Sequence, residues 1–202
     1  MTIPALLEGL LVWALYPLWL VAGFIDYVFH RRTRIDRTSG PPEAWLHVAQ
    51  FAVLGIAAAA VAGLHMNRLT FALLTVCVAA HSAFAYADVA FTDGRRYIAP
   101  LEQQVHGYME VLPVAALAIL AVLHWESLSI PDWTWRAKPA PGPGAWALVG
   151  SYLVLAGLPV VEELLRCLGG LRYHQVEHDH QRSEGHDPKG DPRTQVASVR
   201  RR

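Results

Sequence analysis

The chain has 202 residues, of which 53% are hydrophobic and only 17% charged, with a mean hydropathy of +0.26. A soluble domain of ordinary composition is about 25% charged, so this balance excludes a water-soluble globule. Seventeen basic residues offset 17 acidic ones, which leaves no basic field for nucleic acid to bind.

Five apolar stretches are long enough to cross a bilayer, which takes about 20 helical residues. They run roughly over 5–29, 44–64, 69–91, 101–123 and 145–168. None shows the period-two alternation of a membrane barrel. The expected fold is therefore all-α: a polytopic membrane protein with five transmembrane helices, four of them forming a metal-binding bundle. Residues 1–172 make up the membrane domain, and 173–202 a disordered cytoplasmic tail rich in His and Arg.

The N-terminus has no basic region before its first arginine, Arg31, so it does not read as a secretory signal. Arg31, Arg32, Arg34 and Arg37 follow the first stretch, and Arg95 and Arg96 follow the third. By the positive-inside rule the N-terminus lies outside and the C-terminus in the cytoplasm, here of a bacterial cell membrane. Gly40-Pro41-Pro42, Asp93-Gly94 and Pro100 punctuate the boundaries, while Pro17, Pro113 and Pro159 fall inside apolar runs and are expected to kink them. Trp125, Trp133 and Trp135 suit an interfacial belt on the opposite side.

The polar residues inside these runs carry the functional argument. The first span ends in Asp26-x3-His30, and the second begins with Glu43-x3-His47. The third holds His81 and Asp88, seven apart, and the fourth begins with Glu102-x3-His106-x3-Glu110. Residues four or seven apart share a helix face. Because successive spans alternate in direction, all four stripes fall near one depth. His81 and Glu110 lie deepest, about 10 and 12 Å beyond Asp88 and Glu102 at 1.5 Å per residue.

Ionisable groups within a span face the bundle interior and need partners, and these four stretches contain no interior Lys or Arg. Facing helices that turn carboxylates and histidines inward are known hosts of di-iron and di-manganese centres. The expected cofactor is two divalent metal ions, iron first, with zinc or manganese as alternatives. Cys77 and Cys167 form no CxxC pair, so thiolate metal sites are not expected. The candidate metal ligands are Asp26, His30, Glu43, His47, His81, Asp88, Glu102, His106 and Glu110. Glu102, nearest the water, is the first to be demoted to an outer role. Tyr27 and Tyr108 are candidate catalytic relays, with Gln103 nearby.

Rival readings explain part of the pattern. Arg31, Arg34, Arg95 or Arg96 could pair with the acids in a structural ion network, and paired histidines could ligate haem. Glu162, Glu163 and Arg166 read mainly as a structural charge patch, with a place beside the polar layer as the lesser alternative. His65 and His124 read as interfacial. His174, His178, His180 and His186 read as a solvated tail, with loose metal capture as the alternative.

From Asp26 to Glu110 the pattern of acid and His gathered at the inner ends of spans resembles the integral-membrane non-haem di-iron enzymes, the fatty-acid hydroxylases and desaturases. The chain has no His-His pair and no HxxxH box among these residues, and it spaces acid and His by three residues where ferritin-like proteins use two. No family ligand assignment is transferred. The resemblance implies an O2-dependent oxidoreductase acting on a membrane lipid or other apolar small molecule, with an external electron donor. The alternatives are a zinc-dependent membrane hydrolase, a metal-binding accessory subunit in a larger membrane complex, and a metal transporter or sensor.

Overall fold

The computed structural model describes residues 1–140 and 142–170. Within them five helices are long and apolar enough to cross a membrane: α1 (Ile3–Thr33), α2 (Pro41–Gly63), α3 (Arg68–Thr92), α4 (Pro100–Leu123) and α5 (Pro143–Gly170). No strand occurs among the described residues; one isolated bridge joins Leu64 to Ala137. The expectations for a tail and for its histidines lie outside the described residues.

Local chemistry sets each boundary. The Thr2 side chain accepts from the Ala5 amide at the start of α1, and Asn67 accepts from the Thr70 amide at 3.0 Å at the start of α3, both as N-caps. Prolines occupy the first turns of α2, α4 and α5, where their missing N–H has no helical partner to lose. Helix α1 ends at Arg34 in the left-handed region, φ 53°. A short 3-10 turn, Ile35–Arg37, and Gly40 at φ 70° then reverse the chain into α2. Two wide π turns interrupt the helices, at Leu11–Leu15 and at Leu153–Gly157. The second stands just before Pro159.

Helix α2 packs most extensively on α3, α1 packs on α4, and α5 closes the bundle against α2 and α1. Leu6, Leu18, Val76, Val111 and Leu165 remain exposed, as a lipid-facing surface requires. At the end carrying the arginines, Ile35, Ala44 and Cys167 form a sealed apolar plug with Leu164. At the other end the 124–140 connection is tied down by polar bonds. Asn67 Nδ2 donates to the Thr134 carbonyl at 2.7 Å, Arg68 Nε to the Leu128 carbonyl at 2.7 Å, and Lys138 Nζ to the Val61 carbonyl at 2.8 Å.

Asn67 thus serves two bonds with one side chain. Asn67→Ala is expected to lower stability by about 1 kcal/mol through the lost cap alone. Thermal unfolding in detergent would show this, with Asn67→Ser restoring the cap but not the Thr134 bond. Metal content is expected to stay unchanged, because the site lies at the far end of the bundle.

Candidate metal centre

The reversals described above bring the first turns of α2 and α4 level with the last turns of α1 and α3. Asp26, His30, Glu43, His47, Asp88, Glu102 and His106 are all buried there. Three groups of donor atoms gather within 4.8 Å of one another: Asp26, His30, Glu102 and His106; Glu43, His47 and Asp88; and His30, His47 and Glu163.

His30 is the hub. Its Nε2 lies 3.5 Å from Asp26 Oδ2, 3.8 Å from Glu102 Oε1 and 4.0 Å from Glu43 Oε1. These separations exceed a hydrogen bond, and Nε2 is buried without a hydrogen-bond partner. Two ligands held about 2.1 Å from one ion lie about 3.0–3.4 Å apart when adjacent and about 4.2 Å apart when opposite, so the spacing suits a shared cation. His106 Nε2 lies 2.8 Å from Asp26 Oδ1. His47 Nε2 lies 3.1 Å from Asp88 Oδ2. Neither oxygen of Glu102 has a hydrogen-bond partner, and neither does Asp88 Oδ1.

Helix α5 adds the residue that the motif pattern did not select. Glu163 spans two imidazoles: Oε2 accepts from His30 Nδ1 at 2.9 Å, and Oε1 pairs with His47 Nδ1. The two rings stack 4.5 Å apart and within 4° of parallel. A carboxylate on Nδ1 fixes the tautomer that leaves Nε2 free for a metal. The signal lay in the sequence: α5 runs in the direction of α1 and α3, so an acid near its end falls at the same depth.

Arg96 is the second such residue. It sits in the loop between α3 and α4, yet its side chain is only 3% exposed. Its guanidinium donates to Glu43 Oε1 at 2.7 Å and lies 2.6 Å from Glu102 Oε1. Burial alone would disfavour its charge, but hydrogen bonding and attraction from the Glu43 and Glu102 carboxylates outweigh that and raise its pKa above the ordinary arginine value. The ion-network reading therefore accounts for part of two acids. Ser39 also donates to Glu43 Oε2.

Four expected residues sit elsewhere. His81, 1% exposed, belongs to none of the three groups. Pro113 has no N–H to offer the Met109 carbonyl, and that oxygen is met instead by His81 Nε2 and Trp19 Nε1, each at 3.3 Å. Glu110 is half-buried on the cavity wall, outside the groups. Tyr108 is 49% exposed, because two residues beyond His106 turns about 200° around the helix. Tyr27 donates to Glu162 Oε2 at 2.9 Å and accepts from Arg31 at 3.1 Å, away from the acids of the layer. Gln103, next to Glu102, is exposed.

The other arginines serve the surface. Arg95 lies over the Phe91 ring, Arg31 pairs with Glu162, and Arg166 pairs with Asp36. Comparison with family models, with curated proteins and with solved structures returns no match.

Proposed function

We propose that this chain is a membrane-embedded dinuclear metal oxidoreductase, with iron as the metal, that oxidises an apolar substrate with O2. The observation that carries the reading is His30 Nε2, buried without a hydrogen bond and ringed by carboxylate oxygens from α1, α2 and α4. A buried imidazole among acids with no donor between them is costly, and a cation removes the cost.

Charge supports two ions. Asp26, Glu43, Asp88, Glu102 and Glu163 are all buried and carry five negative charges, while Arg96 returns one. With neutral histidines, two divalent cations balance the remaining four. Asp26, His30, Glu102 and His106 would hold one ion, and Glu43, His47 and Asp88 the other. The donors are nitrogen and oxygen, with no thiolate, which suits Fe(II), Mn(II) or Zn(II).

Such a pair supplies O2 activation when bound, and the net reaction is R–H + O2 + 2 e⁻ + 2 H⁺ → R–OH + H2O. The two electrons come from an external donor, since the sequence has no glycine-rich nucleotide loop. This chain's own residues do the rest. Glu163 holds the two imidazoles in register, Arg96 fixes the two outer carboxylates, and the apolar plug of Ile35, Ala44 and Cys167 excludes water. The arginines at this end favour a cytoplasmic face for the site.

Elemental analysis of the purified chain tests the reading. Two iron ions per chain are expected. His106→Ala is expected to reduce this to about one, since it removes a ligand of one group and leaves the other three-residue group intact. His65→Ala is expected to change nothing. A single zinc would shift the reading to a hydrolase. A Soret absorption band, or no metal in a folded preparation, would overturn it.

A further inference from the structure

Directly beside the metal layer the bundle contains a cavity of about 80 Å3. At one end are Asp26, His47 and His106; at the other are Trp19, Phe51 and Met109. The apolar end has flat walls. Trp19 stacks on Tyr152 within 4° of parallel, and Tyr152 stacks on Phe51 within 8°. The Tyr152 hydroxyl donates to the Phe51 carbonyl and the Trp19 indole to that of Met109, so neither offers a free donor to a guest. A Cβ at Gly157 would stand 3.1 Å from the Phe51 ring, so the glycine lets that wall seat.

Leu155 lines the same cavity and is 50% exposed on the outer surface of the bundle. It lies in the wide turn Leu153–Gly157. The cavity therefore reaches the lipid-facing surface at α5.

Size selects the guest. An apolar cavity that accepts benzene measures about 150 Å3. This one is about half that, too small for a ring. A methylene is close to a water molecule in size, whose share of liquid volume is about 30 Å3, so two or three carbons of a straight chain fill the space.

We propose that the cavity receives the end of an unbranched hydrocarbon chain that enters from the bilayer beside Leu155, and that this chain is the substrate of the metal centre. The second clause rests on the function proposed above; the first does not.

The full chain, reconstituted in phosphatidylcholine vesicles, is photolysed with a straight-chain fatty acid bearing a diazirine at its methyl end. A parallel sample uses the same chain esterified in a phospholipid. Labelling at Trp19, Phe51, Met109 or Leu155 is expected, and the arm that labels identifies the source as free acid or lipid. Gly23 also lines the cavity, and a Cβ there meets nothing within 4 Å. Gly23→Phe is expected to fill the cavity and abolish this labelling with metal content retained. In the wild-type chain, an excess of unlabelled straight-chain acid is expected to remove the labelling and a methyl-branched acid to leave it.

Labelling confined to lipid-facing positions such as Val12 and Leu158, or equal competition by the branched acid, would overturn the proposal. Metal analysis of the same samples separates the two readings. Cavity labelling without metal would remove the metal centre and keep the chain site. Metal without cavity labelling would do the reverse.

Discussion

Glu163→Gln is expected to weaken metal binding by about 10–100-fold, the usual effect of removing a carboxylate that supports a metal-bound histidine. The size of the effect follows from one side chain serving two rings. Glu163 Oε2 holds His30 Nδ1 at 2.9 Å, and Oε1 holds His47 Nδ1, and the two histidines belong to different donor groups. Glutamine keeps the volume but loses the charge, and it offers only one acceptor oxygen to two N–H donors. Both imidazoles would then be free to rotate or to change tautomer. Titration of the chelator-treated protein with Fe(II) or Mn(II) measures the change for both ions together. Glu163→Asp is expected to recover only part of the affinity, because its shorter side chain reaches one ring. An affinity equal to wild type in Glu163→Gln would place Glu163 outside the metal's support. Glu162→Gln is the control: its contacts are with Tyr27, Arg31 and Arg166, and metal affinity should not move.

Arg96→Ala is expected to destabilise the metal-free protein by about 3–5 kcal/mol, the cost of removing one partner from a buried ion pair. At this chain length that corresponds to a fall in Tm of about 10 °C. Glu43 and Glu102 are fully buried, and without the guanidinium they would repel each other in a medium of low dielectric. Arg96→Lys keeps the charge but cannot present the planar fork that reaches both acids, so it is expected to recover less than half of the loss. Arg95→Ala, which gives up only the contact with the Phe91 ring, is expected to stay within about 0.5 kcal/mol. Thermal unfolding in detergent after chelation reads all three. A loss below about 1 kcal/mol for Arg96→Ala would mean that water already screens the two carboxylates.

Much of this arrangement was legible in the chain itself. The five spans follow from apolar length, and Pro41, Pro100 and Pro143 mark where three of them start. The meeting of Asp26, His30, Glu43, His47, Asp88, Glu102 and His106 at one level follows from alternating span direction and i,i+4 spacing. Helical phase decided the rest. Tyr108 fails because two residues carry it round to the far side of α4 from His106. His81 shares a face with Asp88 but stands two turns deeper, where the Met109 carbonyl, released by Pro113, takes its proton. Glu163 was harder to select because an acid beside a second acid and an arginine reads as a surface patch. Only the packing of α5 against α1 and α2 shows which of the two glutamates turns inward. Arg96 was hidden by its place in a loop, where a sequence gives no measure of burial.

The wide turn at Leu153–Gly157 has a further bearing on Glu163. A π turn admits about one residue more than the α-helical turn it replaces, and one residue is worth about 100° of rotation about the axis. The azimuth of everything after Gly157 is therefore set by that single surplus position. Removing a residue within 153–157 would straighten the turn and swing Glu163 about a quarter of the way round, towards lipid. Removing one residue there and inserting one between Gly157 and Glu163 would bring the carboxylate back to the imidazoles. The clamp on the two histidines is thus a matter of counting along α5 as much as of the glutamate's own chemistry.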